Sequence, residues 1–301
     1  MKNVLVTGVS GFIGKRLLDF LKLEEECNLI LLTSKKIQGC LCVEHQNYQY
    51  TVDDFKKAGV ERVDVVIHVG AFAPSKRGEM DDIPKTTSNI LNTEHLIKEL
   101  PNTPERVVFC STKALYGEAY AENVNESCRA CPETLYGISK LFCERMISSW
   151  GEQNGVKVAI ARFGSIYGAG EDKKKDYLIP HLIKKAIKDE KITIFSDGSE
   201  KRAYLYVDDL CRYLCKLALH TEMTGILNLV SAHSVTVNDI LNAIEEISGK
   251  QLDVEFRNQK PQWGEESYDT SLLDKVLGVE EISLKDGLTE VYKYWEENGE
   301  V

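Results

Sequence analysis

The chain opens on the segment VLVTGVSGFIG, residues 4–14, in which a short apolar run meets three glycines. The apolar run is typical of a buried strand, and the stretch that begins at Phe12 is typical of an amphipathic helix. Between them, Gly8 permits a tight turn, Gly11 lets the backbone approach a pyrophosphate, and Gly14 lets the helix pack against the strand. Because the free N–H groups at a helix start also attract phosphate, the spacing predicts a dinucleotide-binding turn.

The alternation of strand and helix continues through the first two-thirds of the chain. Apolar runs predict further strands at 28–33, 63–69, 106–110 and 157–163, and amphipathic stretches predict helices at 12–23, 89–100 and 135–150. Alternation of this kind implies an α/β fold of the Rossmann type, with helices on both faces of a doubly wound parallel sheet.

The pattern changes after Gly170, where a charged stretch leads into helices predicted at 177–188, 237–248 and 287–297. We therefore expect a smaller C-terminal substrate-binding lobe beside the sheet. The expected boundaries place residues 1–170 and 203–232 in the nucleotide-binding domain, and residues 171–202 and 233–301 in the lobe.

The composition of the chain limits the binding partners and the cellular location that we expect. The 301 residues carry a net charge of −10 and are 43% hydrophobic, which argues against nucleic acid or an anionic membrane as the main partner. No apolar run has the length of a membrane span or of a signal-peptide core, so we expect a cytoplasmic protein.

The nine cysteines are expected to be reduced thiols, because no export signal accompanies them. The two close pairs, Cys40/Cys42 and Cys128/Cys131, match the spacing of a four-thiolate zinc site poorly. We therefore expect no metal.

The spacing G-x-x-G-x-x-G resembles the extended branch of the short-chain dehydrogenase/reductase superfamily, the NAD-dependent epimerase/dehydratase family that modifies nucleotide sugars. The segment His68-Val-Gly-Ala71 is similar to an element that this family places beside its cofactor. The resemblance implies an NAD(P)-dependent enzyme in which two sets of residues contact the cofactor: Gly8, Gly11, Phe12, Ile13 and Gly14 from the turn, and His68, Gly70 and Ala71 from the later strand.

The choice between NAD and NADP depends on the end of the second strand. An acidic residue there usually binds the ribose hydroxyl of NAD, but this chain has Thr33, Ser34, Lys35 and Lys36. Two lysines and two hydroxyls suit a 2′-phosphate, which favours NADP(H) over NAD(H). The alternative is that both lysines merely face solvent.

Tyr136 and Lys140 form the predicted catalytic pair. Positions i and i+4 of a helix share a face, so the phenol and the ammonium should project together. A free tyrosine ionises near pH ~10, and two nearby cations, Lys140 and oxidised nicotinamide, would lower that pKa. By the resemblance, Tyr136 is the acid/base, and Lys140 holds the cofactor ribose.

The segment Cys110-Ser-Thr-Lys-Ala-Leu-Tyr-Gly117 is similar to the family segment whose hydroxyl residue, four before the tyrosine, orients the reacting oxygen. This residue is Thr112, with Ser111 beside it in the substrate site. The resemblance also places Ser165 and Arg202 against the substrate, Arg202 on a diphosphate. Family dehydratases carry an Asp-Glu pair after the threonine, whereas this chain has Lys113 and Ala114, which disfavours dehydration.

We therefore expect a reductase that transfers hydride from the nicotinamide to a 4-keto nucleoside diphosphate sugar. An NAD-dependent nucleotide-sugar 4-epimerase is the alternative, and a non-catalytic dinucleotide sensor or scaffold is the alternative of another class. The resemblance also implies a homodimer.

Overall fold

A computed structural model of the chain describes residues 1–117, 123–170, 177–259, 266–278 and 281–298. The charged stretch at 171–176, which holds the first expected lobe boundary, lies outside these residues. The described strands are β1 (Lys2–Thr7), β2 (Cys27–Thr33), β3 (Leu41–Glu44), β4 (Val65–His68), β5 (Arg106–Thr112), β6 (Lys157–Phe163), β7 (Ile166–Tyr167), β8 (Ile192–Ile194), β9 (Lys201–Ala203), β10 (Leu205–Tyr206), β11 (Gly225–Asn228), β12 (Ser234–Thr236) and β13 (Val254–Phe256).

Most of the helices follow strands and cover the sheet. They are α1 (Phe12–Leu21), α2 (Val52–Lys57), α3 (Ile83–Lys98), α4 (Leu135–Asn154), α5 (Leu178–Ile187), α6 (Val207–Leu219), α7 (Val237–Ser248), α8 (Ser271–Leu277) and α9 (Leu284–Glu297). Single 3-10 turns occur at Arg77–Glu79 and Lys113–Tyr116.

Seven strands form the central sheet in the order β11-β6-β5-β4-β1-β2-β3, and every pairing in it is parallel. The predicted Rossmann-type α/β fold is therefore confirmed. The winding reverses at β1, because β2 and β3 lie on one side of it and β4 to β6 on the other. In such sheets the ligand crevice opens at the carboxyl ends of the strands that flank this reversal. Thr7 and His68 end the two strands and pair in register, so they mark the floor of that crevice.

Two apolar cores cover the two faces of the sheet. One core packs α1 and α6 against the strands through fully buried side chains such as Leu17, Leu21 and Leu214. The other packs α2, α3 and α4 through Phe55, Leu96 and Ile147. Burying a leucine or phenylalanine stabilises a fold by roughly 1.5–3 kcal/mol, so these layers hold the strand ends rigidly in place.

A third core lies among α5, α7 and α9, where Trp295 is fully buried. Leu273 and Leu277 of α8 instead join the core that contains α1 and α6. The helix α8 therefore packs with the sheet layer, although it lies within the stretch assigned to the lobe. The exact boundaries of the two lobes stay a prediction.

None of the described helices is long and apolar enough to cross a membrane. Within the described residues, no three histidine, cysteine or acidic side chains come together as metal ligands would. All nine cysteines are free thiols.

Candidate active site

The glycine turn joins β1 to α1 at the reversal point of the sheet. Gly8 adopts a φ of +75°, and its carbonyl accepts a hydrogen bond from the Gly11 N–H at 3.0 Å. A Cβ atom at Gly14 would lie 2.1 Å from the Gly8 carbonyl oxygen, inside van der Waals contact. Glycine at position 14 is therefore what lets α1 approach the turn so closely.

The turn leaves room for a phosphate at its outer side. A Cβ atom at Gly11 would meet only one protein atom, the Gly8 carbonyl oxygen at 3.4 Å, and would otherwise project into the cleft. Gly11 is the N-cap of α1, has no side-chain cap, and no acidic residue follows in the first turn. The free N–H groups of Phe12 and Ile13 therefore line an anion-accepting space that fits a dinucleotide pyrophosphate.

His68 supports the turn from below and does not line the cleft. The Thr7 hydroxyl accepts from the Gly70 N–H at 2.9 Å and donates to His68 Nδ1 at 2.7 Å, because the proton of the neutral ring is on Nε2. On the other side, the Thr93 hydroxyl donates to the Asn89 carbonyl at 2.7 Å and accepts from His68 Nε2 at 3.2 Å. Burial, reinforced by the Lys140 charge, lowers the pKa of His68 to about 3, so the ring is neutral.

The His68 side chain therefore lies outside the cleft that the predicted cofactor would occupy. Its ring is 3% exposed, and both ring nitrogens are used within the protein. The motif placed His68 at the right strand end, but its side chain points into the core. Gly70 and Ala71, which follow it, do line the cleft.

The end of β2 contributes one of its predicted side chains to the cleft. Lys35 lines it, whereas Thr33 and Ser34 do not. Thr33 is buried, and its hydroxyl donates to the Lys35 carbonyl at 3.1 Å. The Thr33 hydroxyl thus bonds within the strand end, and its predicted contact with a cofactor stays a prediction.

Tyr136 and Thr112 come together at the carboxyl end of β5. The Thr134 hydroxyl caps α4 by accepting the Gly137 N–H at 3.2 Å, which starts the helix beside this strand end. The Tyr136 phenol lies beside the Thr112 side chain, which acts to lower the pKa of the phenol, and both residues line the cleft. Burial raises the pKa of Tyr136 to about 12, so the phenol is protonated at neutral pH.

Lys140 lies on the same face of α4, one turn further on, and is buried below the cleft. Its Nζ donates to the Cys110 carbonyl at 2.5 Å and lies 4.3 Å from the centre of the Phe109 ring. Burial lowers the pKa of Lys140. The expected lowering of the Tyr136 pKa by this ammonium is therefore not found in the protein alone, because the lysine points to the strand and not to the phenol.

Ser111 lines the floor of the cleft, but its hydroxyl is already used. It donates to Glu144 Oε1 at 2.5 Å, and Arg162 donates to both oxygens of the same carboxylate at 2.9 and 2.7 Å. The Arg162 guanidinium also lies 4.9 Å from the Tyr116 ring centre. The expected contact between Ser111 and a substrate stays a prediction, and the Glu144–Arg162 ion pair supports this strand end from below.

The sugar half of the cleft is built by residues that follow β5 and β6. Ser165 lines it in the left-handed conformation, with a φ of +52°. Lys113 and Glu266 line it as well and form an ion pair. Arg202 does not line the cleft, although its charge reaches Lys113 and the cleft residue Tyr204. Motif reasoning assigned no site role to Glu266, which lines the cleft, or to the Glu144–Arg162 ion pair beneath it.

One cleft of about 1370 Å³ joins the glycine turn, the hydroxyl pair and the sugar half. A Rossmann-type sheet with this turn at its reversal point defines a dinucleotide-dependent oxidoreductase fold of the short-chain dehydrogenase/reductase superfamily. The profile of the NAD dependent epimerase/dehydratase family matches residues 4–229. The chain belongs to this enzyme family, which confirms the resemblance noted from the sequence.

Relatives match over nearly the full length. An uncharacterized UDP-glucose epimerase, YtcB of Bacillus subtilis, is 27% identical, and the match covers 97% of each chain. The UDP-glucose 4-epimerase of Thermotoga maritima, solved with UDP-glucose, is 25% identical, with a TM-score of 0.83 over 99% of this chain and 100% of that one. The UDP-glucuronic acid 4-epimerase of Bacillus cereus, solved with UDP-glucuronic acid and NAD, shares the fold at 24% identity, with a TM-score of 0.84 and coverage of 98% and 99%.

Proposed function

We propose that the chain is an NAD-dependent 4-epimerase of a nucleoside diphosphate sugar. The observation that carries the proposal is the pair Tyr136 and Thr112, whose side chains lie together and line the same cleft as the glycine turn. Full-length relatives named as UDP-glucose epimerases favour this alternative over the 4-keto-sugar reductase that we expected from the sequence.

Each residue has a distinct task in the proposed reaction. A bound nicotinamide would supply the site that accepts a hydride from the sugar C4 carbon and returns it to the opposite face. The deprotonated Tyr136 phenol takes the proton of the C4 hydroxyl, and the protonated phenol returns it to the C4 oxygen, while the Thr112 hydroxyl orients that oxygen. Lys140 fixes α4 against the end of β5 through its bond to the Cys110 carbonyl, and in the occupied site it would contact the nicotinamide ribose.

The residues after Thr112 support epimerisation over dehydration. Loss of water from a sugar needs an acid and a base beside the reacting carbon, which family dehydratases supply with an Asp-Glu pair. In this chain Lys113 donates to Ser165 Oγ at 2.8 Å and pairs with Glu266, and Ala114 carries no titratable group. The site thus has the residues for hydride and proton transfer at one carbon and lacks that pair.

The cofactor of the proposed reaction is NAD and not NADP. An epimerase returns the hydride to the molecule that gave it, so it has no need for the reducing pool that NADPH supplies. Lys35 and Lys36 are both exposed, and Lys35 alone lines the cleft. A relative of the same fold was solved with NAD. These observations replace our preference for NADP(H).

The test is turnover of UDP-glucose and of UDP-N-acetylglucosamine with NAD, and separately with NADP, followed by proton NMR. We expect the C4 epimer of one sugar to accumulate with NAD and with no net change in nicotinamide absorbance. Stoichiometric consumption of NADPH with a 4-keto sugar would support the reductase instead. Binding of NAD without turnover of any sugar would support the sensor or scaffold.

An exposed apolar stripe on α4 supports the proposal that the protein is a homodimer. Leu135, Ile138 and Phe142 follow the i, i+3, i+7 spacing of one helix face and are 37%, 48% and 54% exposed. On the neighbouring α3, Ile83 and Leu91 are 66% and 56% exposed. Apolar faces of two packed helices suit a two-fold contact with a second copy.

The Phe142→Asp substitution is expected to shift the protein from dimer to monomer, because it would bury a charge at the contact. Light scattering coupled to size exclusion measures the mass directly. The control is Phe195→Asp, which places the same charge at an aromatic residue that is 58% exposed on another surface and should leave the mass unchanged. A wild-type protein with the mass of one chain would contradict the dimer.

A further inference from the structure

Lys113 and Glu266 hold opposite charges inside the sugar half of the cleft. Lys113 directly follows Thr112, and its Nζ donates to Ser165 Oγ at 2.8 Å and pairs with the Glu266 carboxylate. The two charged side chains are 15% and 25% exposed, and all three residues line the cleft. The pair is therefore part of the wall that a bound sugar would face.

Packing fixes both members of the pair. A Cβ atom at Gly164 would lie 2.6 Å from the Lys113 Cγ, so the lysine stem occupies the space that any other residue at 164 would need. The Glu266 backbone is held on the other side, where its N–H donates to the Lys201 carbonyl at 3.2 Å and its carbonyl accepts from the Ser234 hydroxyl at 2.6 Å. The charges are thus pre-positioned by elements on both sides of the cleft.

We propose that the Lys113–Glu266 pair selects a neutral, hydroxyl-bearing sugar and excludes a sugar that carries a carboxylate. The inference rests on the proposed function, because it takes Tyr136 and Thr112 to mark the position of the reacting carbon. Adjacent Cα atoms lie about 3.8 Å apart, so the residue after Thr112 is placed to face the substituents on the neighbouring sugar carbons.

The charge balance at the wall explains the selection. A carboxylate that leaves water needs a cationic partner, and removing it from solvent without one is costly. The Lys113 ammonium already has its counter-ion in Glu266, so the pair itself offers a sugar carboxylate no net positive charge, and the Arg202 charge that reaches Lys113 comes from outside the cleft lining. A sugar hydroxyl finds both partners that it needs, because Glu266 accepts a hydrogen bond and Lys113 donates one.

Calorimetric titration in the presence of NAD tests the inference with three probes: UDP-glucose, UDP-N-acetylglucosamine and UDP-glucuronic acid. We expect the wild-type protein to bind the better neutral sugar at least about tenfold more tightly than UDP-glucuronic acid. The Glu266→Gln variant keeps an acceptor for Lys113 but removes the counter-charge. We expect it to shift the ratio of the two affinities by about tenfold in favour of UDP-glucuronic acid.

The matched control is Glu255→Gln, which removes the same charge from a Lys–Glu pair outside the cleft, where Glu255 lies 2.9 Å from Lys191. It should leave all three affinities unchanged. If the wild-type protein binds UDP-glucuronic acid as tightly as the neutral sugars, or more tightly, the inference is wrong but the proposed function is not affected. An unchanged affinity ratio in a folded Glu266→Gln variant has the same meaning. Failure to bind any of the three overturns the proposed function as well. The wild-type comparison decides the question if the variant does not fold.

Discussion

Replacing Tyr136 by phenylalanine is expected to lower kcat for the epimerisation by roughly 10³-fold, since a positioned acid/base contributes about 10²–10⁴-fold. The substitution removes one oxygen from a buried ring and keeps its edge-to-face packing on Phe72, with ring centres 6.4 Å apart. Thr112 keeps its bond to the Ala114 N–H at 3.2 Å, so the fold should be retained. The measurement is the rate of appearance of the epimer by NMR, together with the affinity for NAD.

The control for this variant is Tyr213→Phe, which removes a buried phenol oxygen from α6, away from the cleft. The control should keep its activity, and both variants should bind NAD. Activity of Tyr136→Phe within threefold of wild type would contradict the proposed mechanism.

The pH dependence of the reaction rate gives a second test, because burial raises the pKa of Tyr136 to about 12. Oxidation of the sugar needs the deprotonated phenol, so its rate should rise with pH in the wild type and stay flat in the variant.

Replacing Glu144 by alanine is expected to cost roughly 3–5 kcal/mol of the free energy of unfolding. The substitution leaves the Arg162 guanidinium buried without its carboxylate, and these side chains are 3% and 4% exposed. It also removes the carboxylate that accepts a hydrogen bond from the Ser111 hydroxyl beneath the cleft. Urea denaturation at neutral pH, followed by circular dichroism, measures the loss.

The matched control is Glu105→Ala, which breaks a pair with Arg62 whose side chains are 54% and 61% exposed. Solvent screens this pair, so its loss should leave the unfolding free energy nearly unchanged. The double variant Glu144→Met with Arg162→Met should recover most of the lost stability, because it leaves no buried charge. A cost for Glu144→Ala as small as that of the control would show that the ion pair does not hold the strand end.

The sequence predicts those elements that carry their own local signal. β6 and α7 have the bounds predicted from periodicity, and α1 ends two residues before its prediction. The edge strand β3 was missed because Leu41 and Glu44 are exposed and only Val43 is fully buried, which gives no apolar run. Most of the short ribbon strands were missed because two or three residues carry no period.

The site residues likewise divide into those that a local motif predicts and those that only the folded chain brings together. Gly8, Gly11, Gly14, Thr112 and Tyr136 stand in contiguous motifs, and the structure brings all of them to one cleft. The groups that position them join distant parts of the chain: Ser111 meets Glu144 across 33 residues, and Lys113 meets Glu266 across 153. Spacing within a motif carries no information about such pairs, since only the folded sheet brings them together.

The two halves of the cleft are bordered by sheets of very different size. The nucleotide half stands on β1 and β4, which are flanked on both sides by paired strands, whereas the sugar half is bordered by two-stranded ribbons of two or three residues each. Amide hydrogen exchange should therefore be slowest beneath the glycine turn and much faster around the ribbons, because local opening costs least where few bonds must break. In the proposed enzyme, local opening of the ribbon side would then be the route by which a sugar enters and leaves the cleft.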